Sequence, residues 1–196
     1  MARPRTFAED DVIAAARDQF WSAGYAGTSL DDLTAATGLG RGSLYGAFGD
    51  KHQLFLRALD DYCGNVTARV NADLRDGQGS AYQRLVGHIR AMANPSAAQA
   101  RRGCLMAKSA AELGATDSDV LQRVRRTLQK YQSELRSVIE EAQREGALDP
   151  TADPDELGLL VLTFLRGSEA LRKAGFAVAK MQAVAETFIA VLPAAS

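Results

Sequence analysis

The sequence predicts an all-α protein of about nine helices, organised as an N-terminal helix-turn-helix followed by a larger C-terminal helical domain. Apolar residues recur three and four positions apart along almost the whole chain, which is the period of an amphipathic helix. No segment alternates apolar and polar residues as a half-buried strand does. Segments that contain glycine or proline separate the periodic stretches. We therefore expect a first domain over residues 1–52 and a second over residues 53–196.

The first helix is indicated by an apolar stripe that stops at two glycines. The stripe comprises Val12, Ile13, Ala16 and Phe20. Gly24 and Gly27 follow it, and glycine is common where a helix ends.

Two short helices are expected next, joined by a glycine turn. Thr28 and Ser29 are typical capping residues, and Asp31 and Asp32 place carboxylates in the first turn of the helix that follows. Gly38 ends that helix. The next one buries Leu44 and Phe48, four positions apart, and its opposite face presents Arg41, Gly42, Ser43, Tyr45 and Gly46.

The remaining helices differ in how much apolar surface they carry. A long helix begins near Lys51, and regular stripes follow over residues 82–92 and 121–142. The last two helices, 157–171 and 178–192, are apolar over more of their circumference than one small core requires. They are therefore expected to bury a second face.

Composition excludes several classes of protein. Of 196 residues, 46% are apolar and 24% charged, and 23 Lys and Arg against 24 Asp and Glu give a net charge of -1, which neither supports nor excludes nucleic acid binding. Two cysteines and two histidines do not have the spacing of a structural zinc site. No secretory signal is recognisable, and the longest apolar run, 157–165, is shorter than the ~20 residues of a membrane span. We expect a cytoplasmic protein.

An enzyme is not expected. The sequence contains no glycine-rich phosphate loop, no serine elbow motif and no metal-spaced cluster. Accordingly, no catalytic residue, cofactor or metal site is predicted.

The two short helices fit a helix-turn-helix, whose second helix can enter the major groove of DNA. Spacing alone leaves an ordinary helical hairpin as an equal alternative. The residues themselves resemble a known family: Phe20 to Tyr25, Thr28, Gly38, and the run from Gly42 to Lys51 are similar to the N-terminal domain of TetR-family transcriptional regulators. The close match covers about the first 55 residues.

This resemblance implies DNA binding, with contacts from Thr28, Arg41, Gly42, Ser43, Tyr45, Gly46 and Lys51. A phosphate contact is expected for the Tyr45 hydroxyl, and Arg3 and Arg5 could lie along a groove. Gly40 and Gly46 depart from the residues that the family often carries at these positions. Residues 1–52 hold five Lys and Arg against seven Asp and Glu, so few ionic contacts are expected per subunit.

The resemblance also implies a homodimer, formed by the last two helices, and an effector pocket among the middle helices. The expected interface residues are Leu160, Phe164, Leu171, Met181 and Phe188. The expected pocket, suited to a mostly apolar ligand with one polar anchor, is lined by Tyr62, Val66, His88, Ile89, Met92, Cys104, Leu105, Lys108, Leu128 and Tyr131. The protein would be a repressor released from a palindromic operator by a small molecule.

Two alternatives remain open from the sequence. One is a helical protein that binds a small molecule without binding DNA. The other is a thiol-based sensor of electrophiles or oxidants that uses Cys104, because this residue begins a helix near Arg101 and Arg102. Burial of Cys104 as a small packed residue is the simpler interpretation.

Overall fold

The computed structural model describes residues 8–195 and confirms the all-α class. Within these residues there are ten helices and, in place of strands, one isolated bridge between Leu148 and Ala194. The helices are α1 Glu9–Ala23, α2 Leu30–Thr37, α3 Arg41–Phe48, α4 Lys51–Leu74, α5 Ala81–Ala93, α6 Ala97–Arg102, α7 Leu105–Leu113, α8 Ser118–Arg144, α9 Pro154–Lys173 and α10 Val178–Ala190. Arg3 and Arg5 lie outside the described residues.

The helix absent from the prediction is α6, which is only six residues long. It begins with a capping box in which Ser96 and Gln99 bond reciprocally to each other's backbone N–H groups. Its sequence has no buried residue, so hydrophobic periodicity could not reveal it.

The predicted stop and start signals around α2 are present. Ser29 caps the helix and pairs with Asp32 in a capping box, in which hydrogen bonds from Ser29 lower the pKa of the Asp32 carboxyl. Gly38 ends α2 in the left-handed region, at a φ of 69°, where a residue with a Cβ would be strained. The turn between α2 and α3 is therefore fixed by local sequence.

The chain divides into two compact units that are each discontinuous in sequence. The first comprises the described residues up to Asn65 together with Cys104–Arg125. Its core is rich in aromatic rings: Phe20 packs edge-on against Phe55 at 5.0 Å between ring centroids, and Tyr25 lies 4.9 Å from the same ring. This unit contains the helix-turn-helix and the whole of α7.

The second unit comprises Val66–Gly103 and the described residues from Arg126 onward. Its core joins α5, the C-terminal part of α8, α9 and α10, and includes Leu85, Ile89, Leu135, Ile139 and Val161, each completely buried. The guanidinium of Arg84 reaches Glu141, and Arg90 makes two hydrogen bonds of 2.7 Å to Glu186. Apolar packing therefore holds the helices of this unit together, and the half-exposed Arg90–Glu186 pair adds little to it.

Between residues 8 and 195 the structure has no helix that is both long and apolar enough to cross a membrane.

Candidate nucleic-acid interface and effector site

Helix α3 presents one bare face to solvent. Leu44 and Phe48 are buried, as predicted, at 2% and 5% exposure. The remaining face is exposed and carries Arg41, Gly42, Ser43, Tyr45 and Gly46. A Cβ added to Gly42 or Gly46 would meet no atom within 4 Å. Steric packing therefore does not require these glycines, and their effect is to leave the backbone open to close approach.

Arg41 is held by a carboxylate on the neighbouring helix. Its Nη2 donates to Asp31 Oδ1 at 2.5 Å, and this hydrogen bond and the charge of Asp31 raise the pKa of Arg41. Both side chains are more than 60% exposed, so water screens the pair and it contributes little to stability. The guanidinium can exchange this carboxylate for a phosphate or a base edge.

Thr28 has a different environment from the rest of the predicted contact set. It is fully buried, and its hydroxyl donates to the carbonyl of Gly24 at 2.7 Å. In this position its side chain fixes the turn between α1 and α2 instead of facing solvent. Ser29, the next residue, is the exposed cap of α2.

Lys51 and Tyr45 complete the polar rim of this surface. The ammonium of Lys51 lies 4.5 Å from the centroid of the Tyr25 ring, a cation–π geometry at the start of α4. Tyr45 is 43% exposed. An ammonium and an exposed hydroxyl are both suited to phosphate oxygens.

Helix α7 brackets the end of α1 from outside the helix-turn-helix. Lys108 donates to the carbonyls of Trp21 and Ser22 at 2.7 and 3.1 Å, and so satisfies acceptors that every helix C-terminus leaves open. Glu112 accepts the N–H groups of Tyr25 and Ala26 at 2.9 and 2.6 Å. The sequence does not reveal this role of Lys108 and Glu112, because no local pattern links positions 87 residues apart.

Gly24 allows this bracket to form. Its φ is 83°, and a Cβ there would meet Glu112 Oε2 at 3.0 Å. The glycine thus provides both the left-handed backbone and the space for the carboxylate.

His52 provides a second connection from the start of α4 to α8. Its Nε2 lies 2.6 Å from Asp117 Oδ2, while the other oxygen of Asp117 accepts the N–H groups of Asp119 and Val120. Burial raises the pKa of Asp117, but the hydrogen bonds from His52 and the two amides outweigh it and leave that pKa below its ordinary value. His52 is therefore a paired residue of the first unit.

The predicted effector residues fall into both units. Tyr62, Cys104, Leu105 and Lys108 belong to the first, where the Tyr62 hydroxyl donates to Cys104 Sγ at 3.7 Å. Both Tyr62 and Cys104 are buried, as is Leu105. The others belong to the second unit: Val66, His88, Ile89, Met92, Leu128 and Tyr131.

His88 lies in a buried polar chain of the second unit. Its Nδ1 is 2.7 Å from Asp73 Oδ2 and its Nε2 is 2.5 Å from the Tyr131 hydroxyl. Burial raises the pKa of Tyr131 to about 12, so its hydroxyl stays protonated and can donate. The His88 hydrogen bond lowers the pKa of Asp73, which therefore accepts as a carboxylate. In this arrangement His88 donates from Nδ1 to Asp73 and accepts at Nε2 from Tyr131.

A crevice of about 170 Å³ lies between the second-unit parts of α4 and α8. Val66 and Tyr131, both predicted, line it together with residues that were not, among them Asn71 and Thr127. The Asn71 side-chain oxygen is buried and accepts no hydrogen bond within the described residues. Almost none of this volume is enclosed, so the crevice as it stands is far below the roughly 300 Å³ at which drug-sized ligand pockets begin.

The outer surfaces of α9 and α10 carry exposed apolar side chains. Leu160 and Leu171 on α9 are 53% and 43% exposed, and Val184 on α10 is 41% exposed. Phe164 and Phe188 are half-buried and stack on each other at 4.1 Å between ring centroids, with an interplanar angle of 2°. Met181, in contrast, is 3% exposed and belongs to the interior of its own chain.

Two family models match the chain. The first, bacterial regulatory proteins of the tetR family, matches residues 12–58, which contain α1 to α3 and the start of α4. The second, the tetracyclin repressor-like C-terminal domain, matches residues 81–188, more than half of the chain. The chain belongs to the TetR family.

Individual TetR-family proteins are similar over nearly the whole chain. The transcriptional repressor ComR of Escherichia coli K12 is 27% identical over 192 residues, which cover 97% of this chain and 91% of ComR. A cysteine mutant of the TetR-family regulator CifR, in complex with a 26-bp double-strand operator DNA, is 30% identical with a TM-score of 0.73 and coverage of 98% and 100%. A TetR-family regulator from Cytophaga hutchinsonii has a TM-score of 0.84 at 23% identity, with 94% of each chain covered.

TetR-family membership confirms the function predicted from the resemblance, a DNA-binding transcriptional regulator. The relatives found are transcriptional regulators. The alternative of a helical binding protein that does not bind DNA is not favoured. The exposed face of α3, which lies within the tetR family match, is therefore the candidate nucleic-acid interface.

Proposed function

We propose that this TetR-family regulator represses transcription by binding a palindromic operator as a homodimer, and that a small molecule bound in its C-terminal part releases the DNA. The exposed, glycine-rich face of α3 is the observation that carries this proposal. An α-helix fits the major groove, which is about 12 Å wide, and small residues allow its backbone to come near the bases. We place this action in the cytoplasm with the DNA, and assign the protein no catalytic step.

Individual DNA contacts follow from exposure and chemistry. Tyr45 and Lys51 would contact phosphates and so fix the position of α3 on the duplex. Arg41 and Ser43 would reach base edges, with Arg41 leaving Asp31 to do so. Gly42 and Gly46 would permit close approach, while Thr28 would act by holding the turn before α2.

The homodimer would form through the apolar surface of α9 and α10. Leu160, Phe164 and Leu171 are spaced four and seven residues apart and share one face of α9, and Phe188 stacks on Phe164 from α10. Contiguous apolar surface of this kind is typical of an interface. A two-fold axis through it would pair two copies of α3 with two operator half-sites.

Effector binding would act on the DNA-binding part through continuous chain segments. Helices α4 and α8 each begin in the first unit and continue into the second, and α7 starts two residues after Gly103, the last residue of a second-unit segment. These helices would have one arrangement that binds DNA and one that does not. An effector that binds the second arrangement more tightly lowers the fraction of protein competent to bind DNA. The Lys108 and Glu112 bonds make α7 a direct contact to the end of α1.

The test of this function is selection of bound sequences from a random DNA library, followed by affinity measurement at a stated salt concentration. We expect a palindromic sequence with two half-sites, bound by a dimer. Arg41→Ala should lose preference at one position of each half-site, whereas Arg136→Ala, on α8 and paired with Glu140 of its own helix, should not. Recovery of no preferred sequence by a folded dimer would overturn the proposal.

A further inference from the structure

Arg172, near the end of α9, is a buried cation with an unused donor. It is 8% exposed, and its Nη1 has no hydrogen-bond acceptor among the residues that the structure describes. Burial lowers the pKa of its guanidinium, although arginine remains protonated in proteins. Burying a charge is unfavourable unless it is paired, so this position calls for an anion.

The nearby carboxylate is already engaged. Glu169, one turn before Arg172, forms an ion pair with Arg166 at 2.9 Å, and both of these side chains are mostly buried. Arg166 and Arg172 together with Glu169 therefore leave one excess positive charge inside the second unit. One singly charged anion would neutralise it.

The surrounding helix ends add more positive charge. Helix α6 packs against α9 and ends with Arg101 and Arg102, and the ammonium of Lys173 donates to the carbonyl of Arg101 at 2.5 Å. Helix α6 and residues 166–173 hold five basic residues and one carboxylate, whereas the whole chain has a net charge of -1. The local field around Arg172 therefore favours an anion.

The buried stripe of α9 indicates what else the anion carries. Val161, Leu165, Ser168 and Arg172 are all buried and follow one another at helical spacing along one face. The guanidinium lies at the end of an otherwise almost apolar stripe. A ligand with an apolar body and a single carboxylate matches this arrangement, since guanidinium binds carboxylate through two parallel hydrogen bonds.

Resting on the effector response proposed above, we propose that the effector is a small apolar monocarboxylic acid and that Arg172 binds its carboxylate. This assigns the polar anchor of the ligand to a residue outside the set predicted from sequence. It also gives a reason for a buried arginine with an unused donor: its Nη1 group finds an acceptor only in the ligand-bound state.

The test measures ligand-induced shifts in melting temperature of the full-length protein, at constant ionic strength, with and without operator DNA. The probes are butyrate, isovalerate, hexanoate and benzoate, each compared with its neutral amide. In the wild type, at least one acid should give a saturable rise in melting temperature and release operator DNA, while its amide should do neither. The absence of a saturable shift from all four acids would overturn the proposal.

Two variants of Arg172 and one control make the test specific. Arg172→Met should melt no lower than the wild type, because an apolar side chain replaces a buried charge with an unused donor, yet it should lose the response to the acid. Arg172→Lys keeps the charge but not the bidentate geometry, and should bind the acid about tenfold more weakly. Arg136→Met, which removes an exposed arginine, should respond as the wild type does. If Arg172→Met does not fold, the Arg172→Lys affinity decides the matter.

An Arg172→Met protein that still responds to the acid, or an Arg172→Lys protein with unchanged affinity, would show that the acid binds elsewhere. Equal stabilisation by inorganic phosphate or sulfate would show a general anion site and contradict the monocarboxylate. Operator binding without any response to acid would defeat this inference but leave DNA binding intact, whereas acid binding without operator binding would defeat the proposed function instead.

Discussion

The carboxylate of Glu112 accepts the backbone N–H of Tyr25 at 2.9 Å, and thereby attaches α7 to the turn between α1 and α2. Its second oxygen accepts the N–H of Ala26, and Lys108, one turn earlier on α7, donates to the last carbonyls of α1. One short helix therefore satisfies both donors and acceptors of the segment that leads into the helix-turn-helix. Any movement of α7 must move this turn or break these hydrogen bonds.

Replacing the charged carboxylate of Glu112 should weaken this attachment. Glu112→Gln keeps one acceptor oxygen but loses the charge, and we expect a loss of about 1 kcal/mol in the free energy of unfolding, at the low end for charged hydrogen bonds because the site is exposed. Chemical denaturation measures it. Glu140→Gln, on the surface of α8, is the matched control and should change stability by less than about 0.5 kcal/mol. Equal effects of the two variants would contradict a bracketing role.

Tyr45 on α3 and Lys51 at the start of α4 should contribute affinity for DNA without sequence specificity. Tyr45→Phe and Lys51→Ala each remove one proposed phosphate contact, so both should weaken binding by a similar factor on every operator variant. Lys51→Ala should also reduce the slope of log affinity against log salt concentration by about one. Fluorescence anisotropy with labelled duplexes over a salt series measures both quantities.

Arg41 provides the contrast within the same experiment. An arginine that reads guanine contributes about 1 to 3 kcal/mol of discrimination, so Arg41→Ala should flatten the preference at one base pair per half-site. Folded variants of all three residues with wild-type affinity would remove this face from the interface.

A charge placed on the outer face of α9 should separate the subunits. Leu160→Asp puts a carboxylate on a residue that is 53% exposed, so the monomer fold should tolerate it while an apolar interface should not. Sedimentation velocity should show a monomer, and operator affinity should fall with it. Gln129→Asp, on the exposed side of α8, is the control and should remain dimeric. A Leu160→Asp dimer with normal affinity would place the interface elsewhere.

The hydrogen-bonded group of Asp73, His88 and Tyr131 should make the free energy of unfolding fall at acidic pH. The pKa of Asp73 is lowered by its hydrogen bond to His88, so this carboxylate stabilises the fold above its unfolded pKa of about 3.9, and the stabilisation is lost as pH falls through the lowered folded value. Asp73→Asn should therefore be less stable than the wild type at pH 7, and the gap should shrink as pH falls below 4. Denaturant titrations at several pH values measure this.

Tyr131→Phe distinguishes the two hydrogen bonds of His88, one to Asp73 and one to Tyr131. It removes the second partner of His88 but leaves the bond to Asp73, so the variant should be destabilised at every pH and keep the acid dependence of the wild type. An Asp73→Asn protein with the same pH profile as the wild type would exclude Asp73 as the titrating group.

Cys104 should act as a packed residue. It is 7% exposed, and the Tyr62 hydroxyl donates to its sulfur, so a bulky thiol reagent should modify the native protein slowly. Cys104→Ser should retain operator release by a non-covalent ligand. Rapid modification of Cys104 that releases the wild type from DNA but leaves Cys104→Ser bound would support the thiol sensor instead.

Local sequence patterns predicted the features that depend on neighbouring residues. Helix α3 could be placed and oriented because Leu44 and Phe48 mark its buried side, and the start of α2 could be placed because Ser29 and Asp32 form a capping box. The roles of Glu112 and Lys108 could not be predicted, since both depend on backbone groups far away in sequence.

Which residues are buried could also not be predicted in full, because burial depends on groups that are not local in sequence. Thr28 satisfies a capping pattern yet is buried, because its hydroxyl finds the Gly24 carbonyl. Met181 is expected at the dimer interface from its place on an apolar helix, but it is 3% exposed and lies inside its own chain. Arg172 gave no signal at all, because an arginine in an amphipathic helix is normally solvated.

The division of the chain has a consequence for hybrid regulators, in which the operator specificity of one protein is combined with the inducer response of another. A crossover near residue 52 would separate Gly24 and Tyr25 from the Glu112 that belongs to the same compact unit. The transferred helix-turn-helix would then lie against the α7 of the other protein. The N–H groups of Tyr25 and Ala26 would have an acceptor only if that α7 carries one at the position of Glu112. A hybrid that also carries residues 104–125 of the donor would transfer the helix-turn-helix together with the α7 that binds it. This hybrid should keep both the fold and the operator preference of the donor.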